Sequence, residues 1–173
     1  MTYVAPIPTN FPKAAVEDYA ERCATTLGVG AGDPLEPVVE KLGGRISFAS
    51  MNEDERDGGS VVASSANEFT IYLSSYTSPV RDRFTIAHEL GHVLLHLPIL
   101  KEADPNSSMR ATRWVDHSDP VQQRAEWEAN WFAAGFLMPK GLFLSSIGMG
   151  AEYLAKKFNV SRKAAELRIA RLS

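Results

Sequence analysis

The 173-residue sequence contains a single cysteine, Cys23, so no disulfide bond can form within the chain. This absence excludes a disulfide-stabilised secreted scaffold and predicts a cytoplasmic location, where thiols stay reduced. The longest apolar run, residues 93–100, is interrupted by His96 and Pro98. It is far shorter than the ~20 apolar residues that a membrane span requires. No signal peptide is visible at the N-terminus, and no membrane partner is expected.

The sequence also has no strong charge imbalance, with 18 Lys and Arg against 21 Asp and Glu and a formal net charge of −3. No general attraction to nucleic acid or to anionic membranes follows from this balance. Hydrophobic residues make up 45% of the chain and charged residues 23%, which excludes a disordered chain. The length fits one domain spanning residues 1–173.

Hydrophobic spacing and capping residues predict an α+β fold. Helices are predicted at 13–27, 34–42, 79–97, 120–138, 151–158 and 161–172, the third ending before Pro98. Strands are predicted at 45–49, 61–63 and 69–73, with a charged turn at 52–59 and a long polar connection at 98–119. We expect a small, mainly antiparallel sheet of about three strands, packed on helix 79–97, with strand 69–73 as an edge beside a cleft.

Three of the four histidines lie between positions 88 and 96, and His88, Glu89 and His92 form the pattern H-E-x-x-H. Residues four apart on a helix share one face, so both imidazoles can bind one zinc ion at ~2.0–2.1 Å. Glu89 is rotated by about 100° from His88 and can take a proton from a water molecule on the metal. The pattern therefore predicts a catalytic Zn²⁺ site.

A catalytic zinc ion needs a third protein ligand and an open position for water. His96 is one candidate, but on a straight helix it lies about 12 Å along the axis from His88. That distance is too long for both histidines to bind one ion. His96 is therefore predicted to be a polar cap near the helix C-terminus.

The remaining candidates for third ligand are Glu126 and Glu128, the only glutamates of helix 120–138. Glu126 is favoured because the small residues that follow it on its stripe allow close packing against the histidine helix. Asn130, one turn later, could accept a hydrogen bond from a ligand imidazole. Glu128 is expected on the solvated face and stays the alternative ligand.

The segments RDRFTIAHELGHVLLH and EWEANWFAAGFLMP resemble the two motif blocks of the ImmA/IrrE family of zinc metallopeptidases, in the family's order. The resemblance extends from about residue 59 to the C-terminus. It implies His88, His92 and Glu126 as zinc ligands and Glu89 as the catalytic acid/base. Gly135 departs from the family pattern, in which a larger residue is usual, and is expected to loosen its helix without touching the metal.

Family members commonly cleave or inactivate a partner repressor of the helix-turn-helix type, often encoded beside them on mobile elements. The resemblance thus implies a zinc-dependent endopeptidase that hydrolyses a peptide bond in a regulator and relieves repression. A substrate peptide could pair with strand 69–73. His117 and Tyr72 are candidates for stabilising the developing oxyanion.

The C-terminal segment supports an alternative function. Residues 151–173 predict two helices joined by a three-residue turn, with six Lys or Arg against two Glu. A DNA- or protein-binding regulator with a non-proteolytic zinc site is therefore possible. Catalysis is favoured because a structural zinc site is closed by four protein ligands and only three are placed here. The hairpin's apolar residues, Leu167 among them, are expected to close the core, and nucleic acid is not the expected partner.

These predictions divide the single domain into three parts. Residues 1–58 hold the N-terminal helices and the first strand, and carry no motif matched to the family. Residues 59–139 form the catalytic core with both motif blocks. Residues 140–173 contain the helix-turn-helix-like hairpin.

Overall fold

A computed structural model of the chain describes residues 2–49, 59–74, 77–112 and 116–173. In chain order the elements are β1 (Tyr3–Val4), α1 (Lys13–Leu27), α2 (Glu36–Lys41), β2 (Gly44–Ala49), β3 (Gly59–Ser65), β4 (Glu68–Ser74), α3 (Pro79–Gly91), α4 (Leu97–Ala103), β5 (Ser108–Thr112), α5 (Pro120–Leu137), α6 (Lys140–Leu144), α7 (Ala151–Phe158) and α8 (Arg162–Leu172). A π-helical segment, His92–His96, joins α3 to α4, and a 3-10 turn, Ile147–Met149, precedes α7. The predicted α+β fold is confirmed, while the charged turn predicted at 52–59 lies outside the described residues except for Gly59.

The strands form one five-stranded sheet in the order β1-β5-β3-β4-β2. The central strand β3 pairs antiparallel with β4 and β5, and the outer strands β1 and β2 pair in parallel with β5 and β4. The predicted number of about three strands was too low because β1 has only two residues and β5 lies in a polar connection. The expectation of strand 69–73 as an edge was wrong, since β4 is hydrogen-bonded on both sides and cannot pair with a substrate.

Helix α3 begins as predicted, because the Ser78 side chain accepts a hydrogen bond from the backbone N–H of Arg81 and Pro79 occupies the first turn. The predicted end before Pro98 was wrong. Residues 92–96 widen into a π-helical segment, and α4 continues to Ala103 with Pro98 in its first turn. In that position the missing proline N–H costs no α-helical hydrogen bond. Half of the predicted connection 98–119 therefore lies in α4 and β5.

Two glycines allow α5 to pack closely against its neighbours. A Cβ atom on Gly135 would lie 2.7 Å from the carbonyl oxygen of Glu17 in α1 and 3.2 Å from Cβ of Ala20. A Cβ atom on Gly91 of α3 would lie 3.1 Å from Cβ of Phe132 in α5. Gly135 thus permits a tight contact between α1 and α5 rather than loosening the helix, which corrects the sequence-based expectation.

Replacing Gly135 by alanine is expected to lower the free energy of unfolding by about 1–3 kcal/mol through overpacking against α1. This loss should exceed the gain of up to ~1 kcal/mol in helix propensity. Urea denaturation followed by circular dichroism measures the difference. Gly141→Ala in α6 is the matched control, because a Cβ there meets no atom within 4 Å. A Gly135→Ala protein as stable as the parent would contradict the close contact.

Candidate metal centre and catalytic cleft

The H-E-x-x-H motif spans the C-terminal end of α3 and the first residue of the π-helical segment, and it faces the middle of α5. Glu126 of α5 places Oε2 3.1 Å from Nε2 of His88 and Oε1 3.1 Å from Nε2 of His92. One carboxylate therefore contacts both imidazoles, each through a different oxygen. The motif residues His88, Glu89 and His92 also offer ligand atoms that all lie within 4.8 Å of one another.

These donors fit a tetrahedral metal ion. Zinc bonded to nitrogen and oxygen at ~2.0–2.1 Å holds its donor atoms roughly 3.3 Å apart, close to the distances from Glu126 to the histidines. Nε2 of His92 is buried and has no hydrogen-bond partner among the described residues, although Glu126 is near. A buried, unsatisfied nitrogen is costly unless something binds it, and a cation at the centre of these donors would do so.

The electrostatics of the three side chains indicate a site that holds positive charge. Burial lowers the pKa of His92 to about 4 and outweighs the contact with Glu126. Burial also acts to lower the pKa of His88, but the hydrogen bond to Glu126 and the charges of Glu89 and Glu126 raise it to about 9. Burial acts to raise the pKa of Glu126, but its hydrogen bond to His88 and its close contact with His92 bring it well below its usual range. Glu126 is therefore ionised and attracts a cation.

Two other predicted residues lie beside these donors. Nδ1 of His88 lies 2.9 Å from Oδ1 of Asn130, so the predicted contact between Asn130 and a ligand imidazole is present. With Nε2 facing Glu126, Nδ1–H of His88 can donate to this amide oxygen, which fixes the orientation of the ring. Glu89 is only 3% exposed and lines the same cleft as His88 and Glu126.

The predictions that His96 is a polar cap at the helix end and that Glu128 lies on the solvated face of its helix were wrong. His96 is fully buried, and its Nδ1 lies 3.0 Å from Nδ1 of His92. The π-helical turn changes the helix spacing between the two residues, which the assumption of a straight helix did not include. Glu128 is also fully buried, and its Oε2 accepts a hydrogen bond from Nε2 of His96 at 3.0 Å.

Both oxygens of Glu128 accept further hydrogen bonds. Oε2 accepts from the backbone N–H and the hydroxyl of Thr9, both at 2.8 Å. Oε1 accepts from the backbone N–H of Asn10 at 2.8 Å and from Nε of Arg124 at 2.9 Å. Burial acts to raise the pKa of Glu128, but these donors and His96 lower it to about 2. The spacing of residues in α5 identified Glu128, but it could not predict that the distant N-terminal segment donates hydrogen bonds to it.

The candidate metal site opens into a cleft of about 1110 Å³ bounded by α3, α5, α8 and the ends of β4 and β5. Its walls contain the catalytic candidates together with Thr112, Trp131 and Leu167. The candidates for oxyanion stabilisation, Tyr72 and His117, are not among the described residues that line the cleft. Tyr72 alternates in β4 with the buried Ile71 and Leu73, and His117 is exposed ahead of α5.

The C-terminal hairpin of α7 and α8 is attached to the rest of the fold. Arg83 of α3 donates to the carbonyl oxygens of Phe158 and Asn159 in the hairpin turn at 2.7 and 3.2 Å. Arg168 of α8 is buried, lies 3.0 Å from Glu17 and donates to the carbonyl oxygen of Met138. One of the six Lys or Arg residues of the hairpin is therefore buried in the interior.

The hairpin closes the core only in part. Leu154, Phe158 and Val160 are buried as expected, but Leu167 is 59% exposed. Leu167 and Lys163, one turn apart on α8, line the cleft beside the metal centre. The prediction that Leu167 belongs to the core was thus wrong, and α8 forms a wall of the cleft instead. None of the helices described here has the length and apolar character needed to cross a membrane.

Comparisons with known proteins identify a matching family, a related sequence and a similar fold. The sequence profile of the peptidase M78 family, described as an IrrE N-terminal-like domain, matches residues 39–170. The radiation response metalloprotease IrrE of Deinococcus deserti is 30% identical over 172 residues, covering 95% of this chain and 56% of that protein. The chain thus spans little more than half the length of this relative. A Mycobacterium tuberculosis transcriptional regulator shares the fold, with a TM-score of 0.59 and 16% identity over 87% of this chain and 45% of that one.

Proposed function

The chain belongs to the peptidase M78 family of IrrE N-terminal-like domains, and we propose that it is a zinc-dependent endopeptidase. The observation that carries this proposal is the convergence of two imidazoles and one carboxylate at 3.1 Å beside a buried glutamate. Three protein donors leave the fourth position of a tetrahedral zinc ion open, as catalysis requires.

We assign His88, His92 and Glu126 as the zinc ligands. Glu128 is a poor candidate because both of its oxygens already accept hydrogen bonds from other groups. The contact between Asn130 and His88 supports the assignment, since an amide oxygen beside Nδ1 leaves Nε2 for the metal.

Glu89 is the proposed general base and acid. When bound, zinc would polarise the scissile carbonyl group and lower the pKa of a bound water molecule to about 7. The Glu89 carboxylate would accept the proton of the attacking water and later deliver it to the leaving amine. Its burial excludes bulk water from this proton transfer.

The proposed substrate is a partner regulator, specifically a repressor of the helix-turn-helix type, and cleavage would relieve repression. The cleft supports a protein substrate because it is open and long enough to extend from the metal centre to α8. A peptide lying in it would contact Leu167 and Lys163 on the exposed face of α8. The hairpin would then hold the substrate.

Co-expression with a helix-turn-helix protein encoded by a neighbouring gene tests the function. We expect the full-length regulator to disappear on immunoblots, and the purified proteins to reproduce cleavage with zinc but not with a chelator. Mass spectrometry of the products would identify the cleavage site. A regulator left intact by the zinc-loaded protein would contradict the proposed substrate.

DNA binding by the hairpin is expected to be weak, with a Kd no tighter than the non-specific range of ~10⁻⁴–10⁻⁶ M at physiological salt. Arg168 is buried against Glu17, while Arg162 pairs with Glu166 and Lys156 with Glu152, so the positive charge that the hairpin can offer to phosphates is reduced. Fluorescence anisotropy with duplex DNA at several salt concentrations measures the affinity. Sequence-selective binding in the nanomolar range would instead support the regulator as an additional function.

A further inference from the structure

We infer that His96 and Glu128, held by the N-terminal segment at Thr9 and Asn10, form a buried hydrogen-bond chain that positions the metal ligand His92. This inference rests on the proposed zinc site. It concerns residues that do not contact the metal. Two residues of this hydrogen-bond chain, Thr9 and Asn10, lie outside the region that matches the family, which begins at residue 39.

The hydrogen bond between His92 and His96 sets the tautomer of His92. With Nε2 of His92 directed at the metal donors, its Nδ1 carries the proton and donates to Nδ1 of His96 at 3.0 Å. Nδ1 of His96 is then an acceptor, so the proton of His96 must be on Nε2. That N–H donates to Oε2 of Glu128 at 3.0 Å. The geometry allows only this direction of donation when His92 binds a metal through Nε2.

The far end of the chain is a carboxylate that cannot easily move. Glu128 is bound by Thr9, Asn10 and Arg124, and Arg124 is itself fixed, with Nη2 donating to the carbonyl oxygen of Phe11 at 2.6 Å. Asn10 adopts φ 60°, a left-handed conformation that asparagine tolerates, and its backbone N–H and that of Thr9 both donate to Glu128. The N-terminal segment thus holds the Glu128 carboxylate, the end of the hydrogen-bond chain, in a fixed position on α5.

His96 also has an unusual environment for a merely structural residue. It is fully buried, and both of its ring nitrogens are used, one by a proposed ligand and one by a charged group. A hydrogen bond to the remote nitrogen of a ligand imidazole raises its basicity and fixes its ring orientation. The π-helical turn brings His96 into this position, so the helix distortion serves the metal centre.

The test compares the zinc affinities of folded variants by competition with a chromophoric chelator. His96→Leu removes both hydrogen bonds and should lower the zinc affinity by about 10–100-fold. Glu128 retains its bonds to Thr9, Asn10 and Arg124 in this variant, so the protein should still fold. His96→Gln can accept from His92 and donate to Glu128, and should restore most of the affinity. The exposed His117→Leu is the matched control and should bind zinc like the parent.

A second variant covers the possibility that His96→Leu does not fold. Thr9→Val removes one hydroxyl donor to Glu128 without changing either histidine. It should lower the zinc affinity by a smaller factor, and nitrogen NMR of the zinc-loaded protein should still show the proton of His92 on Nδ1. Unchanged zinc affinity in every variant that folds would overturn the inference, as would a His96→Gln protein as weak as a folded His96→Leu protein. A parent protein that binds no zinc would overturn the proposed function and this inference together.

Discussion

Replacement of Glu89 by glutamine is expected to abolish peptide cleavage while the fold and the zinc content remain unchanged. The amide has nearly the same shape as the carboxylate but cannot accept a proton from the attacking water. A general base typically contributes 10²–10⁴-fold to the rate, so cleavage should fall by at least that factor. Single-turnover cleavage of the purified regulator, with zinc content measured on the same samples, gives both values.

The control for this variant is Glu152→Gln, which removes the charge of an exposed glutamate on α7. It should cleave at the parent rate. A Glu89→Gln protein that still cleared its partner would contradict the peptidase mechanism and favour regulation by binding alone. A Glu89→Gln protein that lost its zinc would indicate that Glu89 supports the metal centre rather than the proton transfer.

The arrangement of the candidate metal-binding residues was largely predictable because its signals are local. His88 and His92 are one turn apart in a single helix, and this relation follows from helix geometry alone. Asn130 follows Glu126 at the same spacing, so its contact with His88 required only that the two helices face each other. The capping pairs Ser78-Pro79 and Asp119-Pro120 fixed the starts of both helices.

The errors arose where distant segments determine the outcome. Glu128 was expected in solvent because nothing in α5 indicates that Thr9 and Asn10, over 100 residues earlier, donate to it. His96 was misplaced because the spacing argument assumed a uniform α-helix through residue 97. The π-helical turn makes hydrogen bonds to α1 and α5, through Tyr19 and Glu128, and helix periodicity does not contain such contacts.

The position of a strand in the sheet also depends on distant segments. Strand β4 was predicted from its alternating pattern, but its position in the sheet depends on the parallel pairing of β2 across Gly44–Ala49. Pairing partners are not encoded in the local pattern, so an interior strand was taken for an edge. This error bears on the proposed function, because a peptide cannot add to β4 and the proposed substrate would instead contact other walls of the cleft, including α8.

Removal of the Glu126 carboxylate in Glu126→Ala is expected to cost the largest share of zinc binding. Oxygens of Glu126 lie 3.1 Å from Nε2 of both His88 and His92, and the charge of Glu126 would offset that of the cation. Two imidazoles alone rarely retain zinc against competing ligands. The loss should exceed the ~10–100-fold that hydrogen-bond partners of metal ligands typically contribute. Elemental analysis after gel filtration should find well below one zinc per chain, and the same for His88→Ala.

The control for Glu126→Ala must be an exposed glutamate, and Glu166→Ala on α8 should keep one zinc per chain. Glu128→Ala does not serve, because it would leave Arg124, His96 and two backbone N–H groups without their buried acceptor. Its main expected effect is a loss of stability of several kcal/mol, as for other buried charges that lose their partner. Parent-level zinc in Glu126→Ala, together with zinc loss in a folded Glu128→Ala protein, would exchange the roles assigned to the two glutamates.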